Sequence, residues 1–346
     1  MAEKIMNIAV IGCSGMASSH MRGVCAREGV KLYAICDPAE ERLAQRKEEF
    51  GVEIAVKDYR ELVDDPNLDA VVIVVPDKLH LPMTRDFLKA GKAVLCEKPM
   101  ALTVAECEEM MRIEKETGGK LMIGQVCRCT PAFRMAKELV DAGRIGELVF
   151  VESEYAHNYG VVPGYNKWRV DPDRHGFIGG GCHAVDLLRW IAGNPTEVYA
   201  HANHKILTDW PVDDTSIAIY QFPNNVMGKV FVSIGCRRNY TMRTVLYGTK
   251  GTIICDNRSN YLTLFECGEE PLAQHKQKHN IPQMVTVSIK HHNTTEEIKE
   301  FTDAILNDAP LAIPSIEGAN TVAVCNAVVE SCATGMPVKV AYPKVK

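Results

Sequence analysis

Apolar residues in the first third of the chain fall in short continuous runs, and alternation is rare there. Ile5–Ile11, Lys31–Cys36, Ala70–Val75 and Ala93–Cys96 read as strands, and the unbroken Val/Ile run of Ala70–Val75 marks a central parallel strand buried on both faces. Helical stretches follow them at about Ser18–Arg27, Leu81–Lys89 and Thr103–Glu116, and Lys120–Val126 adds a further strand. Strand and helix alternating through short connections predict an α/β domain, a doubly wound parallel sheet of the Rossmann type, over residues 1–126.

Near residue 125 the pattern changes. A helix over Pro131–Asp141 leads to a strand over Leu148–Tyr155, and from 198 to 289 successive strands are punctuated by hairpin turns such as Asn224-Asn225. This predicts an α+β domain over residues 127–346 with an open, mostly antiparallel sheet and a last large helix near Glu317–Thr334. In Val226–Ile234 one face carries Val226, Val230, Val232 and Ile234, and the other carries Met227 and Phe231. Apolar groups on both faces predict that a second subunit covers the outer one, giving a homo-oligomer through this sheet.

Length agrees with two domains, since each half of 346 residues can bury a core of its own. A net charge of -5 with no basic run argues against nucleic acid as a partner. No apolar run approaches the roughly 18 residues of a membrane span, and Met1–Asn7 enters a strand without a signal-peptide core. Thirteen cysteines, several inside apolar strands and none in a C-x-x-C, point to a reduced cytoplasm. No metal site is predicted. Cys127-x-Cys129 lacks a second ligand pair, and His275, His279, His291 and His292 are irregularly spaced and read as surface loops.

Two stretches carry chemistry. After the first strand, Gly12-Cys13-Ser14-Gly15-Met16-Ala17 occupies the place of a G-x-G-x-x-G loop, with Ser14 and Ala17 where two of the glycines would stand. Asp37 ends the second strand, where a carboxylate holds a ribose diol, so NAD is favoured over NADP, although Arg42 and Arg46 follow. Pro76 and His80 lie past the Ala70–Val75 strand, and Glu97-Lys98-Pro99 ends the next one. Gly12, Ser14, Gly15, Met16, Ala17, Asp37, Pro76, His80, Glu97 and Lys98 are therefore the candidate cofactor site. Lys98, at a strand end of an open parallel sheet, is also a candidate catalytic group.

The second stretch runs from Trp168-Arg169 through His175 to Trp190, with Gly179-Gly180-Gly181 ahead of a helix that begins near His183. A histidine there suits proton transfer with an alcohol, and Asp186 three residues on could orient it or pair with Arg189. Tyr155, His157, Tyr159, Trp168 and Arg169 precede that histidine with polar and aromatic groups able to hydrogen-bond to a ligand and stack on it. With His183 and Asp186, Tyr155, His157, Trp168 and Arg169 make up the candidate substrate site.

Together these segments resemble the Gfo/Idh/MocA oxidoreductase family: an N-terminal Rossmann domain, the tripeptide Glu97-Lys98-Pro99, and Gly179-Gly180-Gly181-x-His183-x-x-Asp186-Leu187-x-Arg189-Trp190. The resemblance implies NAD(P)-dependent hydride transfer at a carbinol carbon of a sugar, glycoside or cyclitol, with Lys98 as catalytic lysine and His183 as acid/base. Many members, inositol dehydrogenases among them, carry aspartate four residues before that histidine, where this chain has Gly179. The glycine form is similar to the branch that oxidises the 3-hydroxyl of glucosides, and it implies room for a bulkier substrate. Inositol dehydrogenase, a glycosidase that uses NAD for transient oxidation and elimination, and a non-catalytic nucleotide sensor are the alternatives.

Overall fold

The computed structural model describes residues 5–267 and 282–344, so His275 and His279 lie outside the described residues. The chain forms two compact units. The first holds Met1–Val126, Asn293–Val322 and Pro343–Lys346, and the second holds Cys127–His292 and Ala323–Tyr342. A single cut at 126/127 is therefore not how the chain divides.

The first unit is a six-stranded parallel sheet of β1 (Met6–Ile11), β2 (Val30–Cys36), β3 (Ile54–Val56), β4 (Ala70–Ile73), β5 (Ala93–Glu97) and β6 (Leu121–Gly124), in the order β3-β2-β1-β4-β5-β6. All four residues of β4 are 0 % exposed, as their continuous apolar run requires of a strand covered on both faces. The order reverses between β1 and β4, and ligands of such sheets bind at that point, beyond the carboxyl ends of the strands. The helix after β5, Val104–Thr117, begins with a capping box in which Thr103 and Glu106 satisfy each other's backbone N–H.

Residues 293–322 return to this unit because they complete its core. Ile298 and Phe301 of helix Thr294–Leu306 are buried in the same cluster as β1 and β4. That helix lies close against helix Gly15–Cys25 at Gly23, where an added Cβ would stand 3.1 Å from Ile298 and 3.2 Å from the Thr294 carbonyl oxygen. Ile313 accepts a hydrogen bond from the Ile123 N–H at the edge of β6.

The second unit is a nine-stranded sheet. Its strands are β7 (Leu148–Ala156), β8 (Glu197–Asn203), β9 (Thr215–Gln221), β10 (Met227–Ser233), β11 (Thr241–Gly248), β12 (Gly251–Asp256), β13 (Tyr261–Glu266), β14 (Gln283–Thr286) and β15 (Val338–Lys339). They run in the order β14-β13-β12-β11-β7-β10-β9-β8-β15. All neighbours are antiparallel except β7 and β10, which pair in parallel. Asn224 and Asn225 both take positive φ, 59° and 60°, in the β9–β10 turn, as their short polar side chains allow. One face of the sheet is buried and carries helix Cys182–Ala192 on β7. On the other, Met227, Ile217, Ile219 and Tyr247 are 53, 42, 53 and 42 % exposed. Lys229 and Glu152 form an ion pair among them.

Candidate active site

In the first unit the loop after β1 is shaped by one obligatory glycine. Gly12 has φ +104°, and a Cβ there would stand 2.1 Å from the Val74 carbonyl oxygen. Helix Gly15–Cys25 then opens with no acidic residue in its first turn and no side-chain cap from Ser14. A Cβ on Gly15 meets nothing within 4 Å. Exposed N–H groups at a helix start, next to an open glycine, fit a pyrophosphate. Ala17, by contrast, is fully buried and packs the helix onto the sheet. Asp37 faces the same loop. Its Oδ2 accepts the Cys13 N–H at 2.9 Å, and its Oδ1 accepts the Ala39 N–H at 2.8 Å and Arg42 Nη2 at 2.9 Å. The carboxylate is thus fixed at the end of β2, where a ribose would lie. These residues fit a dinucleotide.

Past β4, Pro76 is exposed and His80 is 0 % exposed. His80 Nδ1 lies 2.9 Å from the Pro99 carbonyl oxygen and Nε2 lies 3.1 Å from that of Val75. Two carbonyls can accept from both ring nitrogens only when the ring carries both protons. Burial opposes that charge, but Cys96, Asp77 and the Pro99 carbonyl outweigh it and raise the imidazole to about 10. The expectation of His80 as a cofactor contact is corrected: sealed and doubly committed, it ties the ends of β4 and β5 together. Glu97, almost buried, accepts the Lys98 N–H on Oε2 at 3.1 Å, and the Lys98–Pro99 peptide is cis. Next to it, Gln125 has both side-chain amide atoms buried without a partner among the described residues.

In the second unit Phe177–Gly181 winds as a single π-turn into helix Cys182–Ala192. Its glycines are there for close approach. A Cβ on Gly180 would stand 2.4 Å from both the Tyr155 ring and the Tyr159 hydroxyl, and one on Gly181 would stand 2.7 Å from Val232. His183, at the second position of the helix, is 1 % exposed. Its Nδ1 is 3.3 Å from the Cys127 thiol, and its ring lies 5.3 Å from that of His292 and 6.1 Å from that of Tyr155. His292 therefore belongs to this cluster and not to a surface loop, a correction that its ring contacts with His183 and Tyr240 require. One ligand atom each from Cys127, His183 and His292 lies within 4.8 Å of the others. The Cys127 thiol and His183 imidazole already share a contact, and His292 Nε2 is 3.1 Å from the Tyr240 hydroxyl. An ion would have to replace both.

Two further expectations are corrected. Asp186 is 0 % exposed and grips Arg128, with Arg189 Nη1 at 3.7 Å, so it is sealed away from a substrate and takes the arginine pairing that the sequence left open. Gly179 leaves no extra room. An added Cβ would stand 2.0 Å from Arg174 Nη1, and Arg174 Nη2 donates to the Gly179 carbonyl at 3.2 Å. A buried guanidinium stands where the resemblance implied space.

Around His183 the aromatic residues form one connected cluster. The Tyr155 hydroxyl is 3.1 Å from both His157 Nδ1 and the Tyr159 hydroxyl. Tyr240 packs on Tyr155 and His157 at 5.5 and 4.8 Å between ring centroids. Burial, then the neighbouring Tyr159 and Tyr240, push the Tyr155 phenol well above its ordinary range, so it stays protonated and able to donate. Arg169 lies over the rings of Tyr165 and Trp168, at 4.0 and 4.4 Å. Its Nε and Nη1 find no acceptor among the described residues. Tyr240, Cys127 and His292 were missed as site residues in the sequence because each comes from a segment remote from the glycine run, and Tyr165 because a lone aromatic three residues before Trp168 carries no spacing signal.

Comparison with known proteins agrees with this geometry. The model of the oxidoreductase family with an NAD-binding Rossmann fold matches residues 6–125, and that of the GFO/IDH/MocA C-terminal domain matches residues 133–254. Myo-inositol 2-dehydrogenase of Thermotoga maritima is 31% identical over 259 residues, 73% of this chain and 75% of the relative. The scyllo-inositol 2-dehydrogenase (NAD(+)) of Bacillus subtilis is 26% identical over 346 residues, 97% of each chain. Among solved structures, a levoglucosan dehydrogenase in complex with NADH and L-sorbose superimposes with a TM-score of 0.89 at 22% identity, over 98% of this chain and 100% of that one. The chain belongs to the Gfo/Idh/MocA family and is an oxidoreductase with an NAD-binding Rossmann domain.

Proposed function

We propose that this family member is an NAD-dependent dehydrogenase that oxidises a secondary hydroxyl, at C3, of a glucoside or sugar to a keto sugar. The observation that carries the sugar reading is the cluster around His183. Stacked aromatic faces, protonated phenols and the unpaired N–H donors of Arg169 match the apolar C–H faces and hydroxyl rim of a pyranose. Relatives named as inositol and levoglucosan dehydrogenases support a polyol substrate. They also support the second reading, an inositol dehydrogenase.

In this reading the glycine loop Gly12–Ala17 cradles the pyrophosphate and Asp37 holds the ribose, with NAD favoured over NADP. NAD supplies the hydride acceptor when bound. Lys98 stabilises alkoxide character at the reacting oxygen and takes the hydroxyl proton directly or through His183. Cys127, 3.3 Å from Nδ1, helps to orient the His183 ring. Tyr155, His157, Trp168 and Arg169 bind the sugar. The thirteen free thiols support a reducing compartment, the cytoplasm. Among the described residues no helix is long and apolar enough to cross a membrane. The exposed apolar face of the second sheet supports a homo-oligomer.

A panel of glucose, glucosides and inositols with NAD+ tests the reading, with the product carbon located by NMR. A 3-keto glucoside formed with stoichiometric NADH is expected. Higher kcat/KM for myo-inositol than for any glucoside would replace it with the inositol reading. Product without net NADH would replace it with the eliminating glycosidase.

A further inference from the structure

Three soft ligand atoms meet in the second unit, from segments that no motif spacing joins. Cys127 comes from the turn Val126–Cys129, His183 from the start of helix Cys182–Ala192, and His292 from the segment just ahead of helix Thr294–Leu306. Cys127 and His183 are each 1 % exposed, and His292 is half-buried. Cys127 Sγ lies 3.3 Å from His183 Nδ1, and one ligand atom from each of the three lies within 4.8 Å of the others. Beside the thiol stands a fourth soft atom, the thioether sulfur of buried Met242, 3.5 Å from Cys127 Sγ.

Zinc bonds of about 2.3 Å to sulfur and 2.0–2.1 Å to nitrogen, at tetrahedral angles, set ligand atoms about 3.3–3.6 Å apart. The thiol and His183 Nδ1 already stand at that spacing. His292 completes the set by moving inward by roughly 1 Å, the difference between its present limit and the tetrahedral spacing. It is the half-buried member and the one with room to move, and it gives up the Tyr240 hydroxyl in doing so. The donor set also selects the ion. Thiolate and imidazole suit zinc, whereas magnesium, calcium and manganese take oxygen ligands, and these three residues bring no carboxylate. Binding is a proton exchange without redox change. Cys127 releases its proton to solvent as the Zn–S bond forms, and each imidazole donates a nitrogen lone pair.

We propose that Cys127, His183 and His292 form a site for a thiophilic divalent cation, zinc, and that filling it stops turnover by tying His183 to the metal. A histidine bound through one nitrogen keeps its proton on the other and has no lone pair left for the hydroxyl proton. The active form of the enzyme is then the metal-free one, and zinc is its inhibitor. The site stands on the geometry of the three ligands. Its effect on turnover rests on the reading of His183 as a carrier of the hydroxyl proton.

The full chain, stripped of metal by dialysis against a chelator, is titrated with Co2+ and with Zn2+. Cys127→Ser and His292→Gln are titrated beside it, with Cys25→Ser as the control, since that thiol is exposed and outside the cluster. Wild type and Cys25→Ser should each bind a single Co2+ with a thiolate-to-cobalt charge-transfer band in the near ultraviolet. The band should vanish in Cys127→Ser. Zinc affinity, by competition with a chromophoric chelator, should fall at least about tenfold in both cluster variants. Excess Mg2+ should leave the cobalt band unchanged. Zinc should raise the Tm of wild type more than that of His292→Gln, as an ion held by the folded chain does. A thiolate band that persists in Cys127→Ser, or zinc affinity equal in wild type and both cluster variants, would overturn the site. NADH formation by wild type should fall about a hundredfold on zinc saturation, the lower end of what proton transfer contributes, and return with chelator. A filled site with undiminished turnover would overturn the reading of His183, showing that Lys98 takes the proton without it, and leave the metal site in place.

Discussion

Asp186 takes Arg128 with both carboxylate oxygens, Nε to Oδ2 and Nη2 to Oδ1, each at 2.7 Å. Both side chains are buried, at 0 and 6 % exposure, and the Arg128 guanidinium also lies 5.6 Å from the Trp190 ring centroid. Removing one partner strands the other charge, which costs about 3–5 kcal/mol. Asp186→Ala should therefore lower the stability of the second unit by that order in denaturant titration. The KM for substrate should stay unchanged in the protein that remains folded. A raised KM at full stability would restore Asp186 to the substrate site.

Lys98→Ala should reduce kcat by at least about a hundredfold, the lower end of what proton transfer contributes. NAD affinity, by fluorescence titration, should be nearly unaffected, since the group acts on the transition state more than on cofactor binding. A near-normal kcat would remove Lys98 from the mechanism.

Asp37→Ala should weaken NAD binding and narrow the preference over NADP. Arg42 Nη2 is held on Asp37 Oδ1 in the wild type. Without the carboxylate that guanidinium is released toward the position a 2'-phosphate would take. Direct titration with both cofactors measures this. NADP as the better ligand of the unaltered protein would count against the carboxylate as a ribose hook.

Light scattering at micromolar concentration should show an oligomer, and Ile219→Lys with Met227→Glu should shift it toward monomer. Ile219 lies opposite Lys229 on β10, so the new lysine sets a like charge against it, and the two substitutions remove two of the exposed apolar side chains of this face. A wild-type monomer would leave this face without a partner.

How much could be read from the sequence follows from how local each feature is. The parallel sheet was legible because β4 and β5 are buried on both faces and spell it in unbroken apolar runs. The return of residues 293–322 was not, because helix Thr294–Leu306 is ordinary in its own sequence and is drawn in by the missing side chain of Gly23. The glycine run ahead of His183 was legible as a place of close approach. What approaches it, Tyr155 and Tyr159 at Gly180 and Arg174 at Gly179, was not, since contact across a sheet end leaves no spacing in the chain.

The guanidinium of Arg174 against Gly179 also constrains how the family's pockets can interconvert. An aspartate at 179 would set its Cβ against the Arg174 guanidinium, the far end of a flexible side chain, which would have to swing aside and give up its bond to the Gly179 carbonyl. The glycine and aspartate forms therefore differ in where the side chain of residue 174 rests as well as in residue 179.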